Sequence, residues 1–162
     1  MALQRIVFWL ALASTASAIS AISAAQIDVP VSLRQENDRT GSCAHAEIVT
    51  QLRFLGEPDE ANQWWTTHSG GENASHLNAE MDAAAINHVD GHTLEFIREA
   101  NAAGHLVQVE VYAGLCTHAL IVSDITSSFV RLIDCNHVKR DWQMPLNDFK
   151  TYWTGWAFYL EN

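Results

Sequence analysis

The chain has 162 residues, with 19 acidic against 9 basic side chains, a formal net charge of −10, and 48% hydrophobic against 17% charged residues. That apolar fraction excludes an intrinsically disordered chain, and the acidic surplus argues against nucleic acid or an anionic membrane surface as partner, since both need a basic face. The length suits one domain with its own core rather than two.

Met1–Ala25 reads as a secretory signal. Arg5 precedes the short apolar run Ile6–Ala13, and small residues at Ala16-Ser17-Ala18 and Ser23-Ala24-Ala25 suit signal peptidase. The run is much shorter than the ~20 residues of a membrane-spanning helix. Residues 1–25 are expected to be removed, leaving residues 26–162 as one secreted or periplasmic domain with no membrane attachment. In an oxidising compartment Cys43, Cys116 and Cys135 cannot all pair. The sequon Asn73-Ala74-Ser75 matters only in a eukaryotic secretory pathway.

After the irregular polar stretch Gln26–Gly41, a first helix is predicted from N-cap Ser42, with Ala44, Ile48, Val49, Leu52 and Leu55 at helical spacing and Gly56 just past its end. A second starts at Pro58 and stops before Gly70-Gly71, turning Ala61, Trp64 and Trp65 inward. A third covers Ser75–Asn87 through the stripe Leu77, Met81, Ala84 and Ala85, and a fourth runs from N-cap Thr93 to Ala103, ended by Gly104. Strands follow at Leu106–Tyr112, His118–Ile125 and Phe129–Cys135, the last two around the turn Thr126-Ser127-Ser128. A short helix near Pro145–Tyr152 precedes a final strand, Trp156–Leu160. Helices first and an antiparallel sheet second make an α+β class.

Cys43 falls in the first turn of the first helix. Unpaired backbone N–H groups and the helix dipole favour negative charge there, which predicts a thiol pKa below the free value of about 8.5. The same N–H groups suit a developing oxyanion. A cysteine nucleophile needs a base, and the base an orienting partner. His118 opens a strand with an apolar body, and Asp134 follows it across the turn.

Register then matters. Paired residues summing to 252 set His118 opposite Asp134 on one face. A sum of 251 sets Cys116 opposite Cys135, with His118 facing Ile133. In a regular hairpin the dyad and the disulfide exclude each other, a bulge can reconcile them, and on these residues alone both registers stay open. His137 competes with His118 as base, and Asn136 competes with Asp134 as orienter.

Eight histidines raise the question of a metal. His45 follows Cys43 by two residues and points to a different side of the helix, while His88 and His92 are separated by Asp90-Gly91, which reads as a turn. With no paired-Cys cluster, neither metal nor cofactor is expected. Gly70-Gly71 reads as a helix end, and Trp64, Trp65, Trp153 and Trp156 as core or cleft lining.

Gly41-Ser42-Cys43-Ala44-His45-Ala46 resembles the Gly-Ser-Cys-x-x-Ala opening of the papain-like catalytic helix. His118-Ala119-Leu120-Ile121-Val122 through Asp134, then Phe149 and Trp153-Thr154-Gly155-Trp156-Ala157, is similar to the bacteriocin-processing (double-glycine leader) branch, in which a strand-opening His is followed about sixteen residues later by Asp. The resemblance spans Gln35–Leu160. It implies a papain-like α+β fold whose nucleophile-bearing helix packs on a C-terminal antiparallel sheet. Cys43 is then the nucleophile, His118 the general base and later acid, and Asp134 the group holding the imidazole, with acyl transfer through a thioester.

The same resemblance favours the 252 register, with Cys116 and Cys135 unpaired. One position departs from it: the family's oxyanion-stabilising Gln, six residues before the nucleophile, is here Asn37, with Gln35 eight before. Asn37 offers the same amide on a shorter arm and is preferred; loss of such a donor costs ~10²–10³ in rate.

The activity implied is an exported cysteine peptidase, or a related amide-bond hydrolase or acyl transferase, acting on a peptide or protein. Leader peptidases of this branch belong to transport machines that face the cytoplasm, so double-glycine cleavage is not carried over with the fold. The alternative from another class is a secreted peptide-binding module that keeps the fold without turnover.

Overall fold

Helix α1, Cys43–Leu55, is enclosed by the rest of the chain in a computed structural model that describes residues 26–38 and 41–162. The expected signal at Met1–Ala25 lies outside the described residues. Every residue of α1 from Ala44 to Leu52 is buried, so its polar His45, Glu47, Thr50 and Gln51 face neighbouring elements rather than water. Gly56 ends the helix at φ 90°, a left-handed conformation that costs a residue without Cβ little.

Three more helices follow: α2 Pro58–Thr67, α3 Ala74–Ala83 and α4 Leu94–Ala102. Asn73 and Thr93 cap α3 and α4, accepting the N–H of His76 at 3.0 Å and of Phe96 at 3.1 Å. Helix α3 ends short of the predicted Asn87. Ala85 turns to φ 59°, and the Ile86 N–H returns to the Met81 carbonyl at 2.9 Å. Ala84 and Ala85 are therefore exposed, and Ile86 takes the buried place beside Met81.

The sheet has six antiparallel strands in the order β1-β6-β2-β3-β4-β5: β1 His88–Gly91, β2 Val107–Ala113, β3 Cys116–Ile125, β4 Phe129–Ile133, β5 Asp141–Pro145 and β6 Trp153–Leu160. Helix α5, Leu146–Tyr152, links the last two. Helices α1, α2 and α3 pack on one face, where Ile48, Trp64, Leu77 and Met81 meet Ala119, Phe158 and Leu160. Helices α4 and α5 cover the other, where Ile97 and Phe149 meet Val107, Val109, Leu120, Val122 and Leu132. The result is a three-layer α+β arrangement. Among the described residues no helix is long and apolar enough to cross a membrane.

Neither expected register of the β3–β4 hairpin occurs. Next to the turn, Ile125 pairs with Val130 and Asp124 with Arg131; beyond it, Val122 pairs with Leu132 and Ile121 with Ile133. Ser123 is the extra residue, a bulge whose carbonyl accepts the Ile27 N–H at 3.1 Å. Continued without the bulge, the first register would put Asp134 opposite Ile121, on the face away from His118. The bulge moves it level with Leu120, so His118, Leu120, Leu132 and Asp134 line one pocket. The dyad is thus a diagonal pair rather than the directly opposed pair of the 252 register.

Candidate active site

Ser42 stands at the N-cap of α1, but its side chain caps no helical N–H; its Oγ instead accepts the N–H of Gly70 at 3.0 Å. The orphan donors of the first turn are left for whatever sits in front of them, and that is the Cys43 sulfur, which the Ala44 N–H faces. From the sheet the Ala119 N–H reaches the same sulfur.

His118 is hydrogen-bonded to Cys43 and, through Nε2, to Asp134 Oδ1 at 2.9 Å. The ring nitrogen left for Cys43 is Nδ1. Burial alone would raise the thiol pKa; the His118 hydrogen bond and the Ala119 and Ala44 N–H groups outweigh it and hold the thiol below its ordinary value. Burial likewise disfavours the charged imidazole, yet hydrogen bonds to Asp134 and Cys43 raise His118 to about 10. Asp134 is kept below the usual carboxylate range: burial opposes this, but His118 and the Asn136 N–H, 2.8 Å from Oδ1, prevail. All three shifts run in one direction, favouring a thiolate, an imidazolium and a carboxylate in line.

The structure brings Asn37 to this group and leaves Gln35 out. The Asn37 N–H donates to the Cys135 carbonyl at 2.9 Å, and its Nδ2 donates to Asn136 Oδ1 at 3.2 Å. Gln35 turns its amide to the Glu36 carbonyl, and its N–H is held by Thr50 Oγ1, about 10 Å down α1 from Cys43. Asn136 bridges Asn37 and the dyad, while Asp134 meets the imidazole directly. The His137 ring lies against Trp142, centroids 5.5 Å apart.

All three cysteines are free. Cys116 is exposed where the β2–β3 turn enters β3, and Cys135 is buried, its Sγ 3.9 Å from the Cys43 carbonyl. Burial and the nearby Glu47 carboxyl push the Cys135 thiol well up, so it is not a second nucleophile.

Glu47 is a residue that sequence reasoning missed. One turn below Cys43 and fully buried, it accepts the Cys135 N–H at 2.9 Å through Oε1 and so fixes the segment carrying Asp134. Burial, with Asp134 adding to it, raises its carboxyl well above the usual range. The only sequence signal was its four-residue spacing from Cys43, which does not distinguish a buried carboxylate from an exposed one.

Among the described residues, two groupings have the side chains to hold a metal: His118, Asp134 and Cys135, where the imidazole is already committed to the dyad, and His45, Glu72 and Glu80 on the other side of α1. A cavity of about 430 Å³ opens in front of Cys43, with Gly41, Gly71, Glu72, Glu110, Thr117 and Trp156 among its walls. Gly41 and Gly71 approach so closely that a Cβ on Gly41 would stand 3.4 Å from the Gly71 nitrogen.

No family model and no curated protein matches the sequence. Solved structures do. The peptidase domain of Streptococcus ComA, a bi-functional ABC transporter of a quorum-sensing pathway, superposes with a TM-score of 0.61 at 16% identity, over 78% of this chain and 95% of that one. A double-glycine motif protease from an AMS/PCAT transporter, in complex with its leader peptide, gives 0.63 at 12%, over 85% and 94%. The Streptococcus mutans ComA peptidase domain gives 0.58 at 16%, over 79% and 98%. The chain has the fold of these peptidase domains. The same neighbours correct the expected location: they are domains of transporters, not secreted proteins, and the expectation of a secreted or periplasmic protein is withdrawn.

Proposed function

We propose that residues 26–162 form a cysteine peptidase domain that cleaves peptides through Cys43, His118 and Asp134. The observation that carries this reading is the continuous chain of contacts from the Cys43 sulfur through His118 to Asp134 Oδ1, at the mouth of a cleft. The Cys43 thiolate attacks the scissile carbonyl, and the first-turn N–H groups with Asn37 Nδ2 receive the oxyanion. His118 gives its proton to the leaving amine as the tetrahedral intermediate collapses to a thioester. A water that loses its proton to His118 then hydrolyses the thioester and frees Cys43.

The substrate class follows from the cleft. The open cavity in front of Cys43 suits a peptide segment, and the AMS/PCAT protease of the same fold binds a leader peptide. The test is incubation of the purified chain with synthetic peptides that carry or lack a Gly-Gly pair, read by mass spectrometry. Cleavage after the pair that disappears in Cys43→Ala supports the proposal. Peptide binding without turnover in either form would overturn it in favour of a binding module.

A further inference from the structure

His45 lies on the side of α1 away from the dyad. It is 0% exposed, and among the described residues neither Nδ1 nor Nε2 has a hydrogen-bond partner. Trp64 and His68 flank the ring, their centroids 5.8 and 5.7 Å away, and satisfy neither nitrogen. A buried imidazole with both nitrogens unmet is rare in folded proteins and marks a missing partner. Facing it is a second orphan: Glu80 Oε2 is buried and likewise has no partner among the described residues.

Glu72 completes the group. One ligating atom from each of His45, Glu72 and Glu80 lies within 4.8 Å of the others. His76 and Glu80, four residues apart, share one face of α3, and Glu72 stands just before its N-cap Asn73. His76 Nδ1 hydrogen-bonds Glu72 Oε2, the kind of outer contact that orients a ligating carboxylate. A buried water would satisfy the two orphans, but it would not account for a pair of carboxylates converging on a neutral-site donor.

We propose that His45, Glu72 and Glu80 form a binding site for a divalent transition-metal ion, which ties the head of α1 to α3. Zinc matches one imidazole and two carboxylates, with a water in the fourth position. A modest closing of the side chains brings the donors to the ~3.4 Å spacing of a tetrahedral site with bonds near 2.1 Å. Glu72 also walls the cleft in front of Cys43, so the ion braces that wall. No step of peptide cleavage runs through it.

The test uses the full chain, free of any affinity tag, as Cys43→Ser to remove the reactive thiolate, stripped with chelator and titrated with zinc by calorimetry. One equivalent is expected to bind. Glu80→Gln and Glu72→Gln are each expected to weaken binding at least tenfold while circular dichroism stays that of the parent. Cobalt in place of zinc is expected to give a spectrum without thiolate-to-metal charge transfer. No uptake, uptake unchanged in both Gln variants, or a cobalt–thiolate band placing the ion at Cys135 would each overturn the proposal. His45→Ala adds a third arm, and the two Gln variants decide the matter if it does not fold.

Discussion

Cys43 and His45 stand two residues apart in the first turn of one helix and serve opposite sides of it. On the sheet side, Cys43, His118 and Asp134 meet one another, and Asn136 and Glu47 hold the segment behind them. Beside that relay only Glu47 Oε2 and Asn37 Oδ1 are unmet among the described residues, whereas on the α3 side both ring nitrogens of His45 and Glu80 Oε2, the candidate ligands themselves, are unmet. A polar cluster completed by the protein's own atoms can hold charge and react, whereas one left open is shaped for something that arrives later.

The largest expected effect breaks the completed side. Cys43→Ala should lower peptide turnover by about 10⁴-fold or more with the fold retained, measured as initial cleavage rate. Asp134→Asn should cost about 10³-fold and change the pH profile. Activity needs Cys43 deprotonated and His118 protonated, so the rate rises through the lowered thiol pKa and falls as pH passes His118 near 10. Without the Asp134 carboxylate the imidazolium loses its main support, and the alkaline limb should move to lower pH. An unmoved limb would mean that Asp134 does not hold the charge on His118.

Asn37→Ala should reduce kcat about 10²-fold, and Gln35→Ala should leave it unchanged. Equal effects in kinetic assays would show that the tether to Asn136 is structural only. On the open side the sign reverses. In chelator-treated protein His45→Leu should raise stability by ~1 kcal/mol, because an unsatisfied buried polar group is replaced by an apolar one. Denaturant unfolding reads this directly, and a loss of stability would mean that His45 already has a partner.

The smallest effect belongs to Glu47→Gln, which keeps the acceptor for the Cys135 N–H. The raised Glu47 pKa makes its contribution full below the unfolded carboxyl value and progressively lost as pH rises above it. The variant should therefore match the parent near pH ~4 and exceed it increasingly towards neutrality, above the unfolded carboxyl pKa of about 4.3. Melting temperatures across pH measure the difference.

What the sequence showed, and what it hid, divides along the same lines. The head of α1 was legible because Gly-Ser-Cys before an apolar helical stripe is a local pattern, and so were the caps at Ser42 and Thr93, although Ser42 caps another loop instead of its helix. Strands β1 and β5 are hidden because both are sheet edges: half exposed, polar, and carrying Asp90-Gly91, which reads as a turn, or Pro145, which reads as the start of a helix. Helix α3 was read too long because alanines extend a stripe without cost, while the left-handed turn at Ala85 has no sequence mark. The His–Asp pairing stays open on spacing alone and is favoured only by the family resemblance, and its route is hidden, since a bulge at Ser123 depends on long-range contacts such as the Ile27 N–H. The His45 cluster joins two helices and could not be seen along either one.

The bulge also sets what kind of change the reactive centre can survive. Parity on a strand is binary, so Asp134 faces His118 only while the number of residues between them and the irregularity at Ser123 stay matched. In the turn itself the exposed Ser127 is free to vary, whereas Thr126 Oγ1 accepts the N–H groups of Ser128 and Phe129 and so helps keep that count. A single-residue insertion or deletion there, however innocuous on the surface, would swing Asp134 to the far side of the sheet. Across divergent copies of this domain, the turn should drift at Ser127 and stay constant in length.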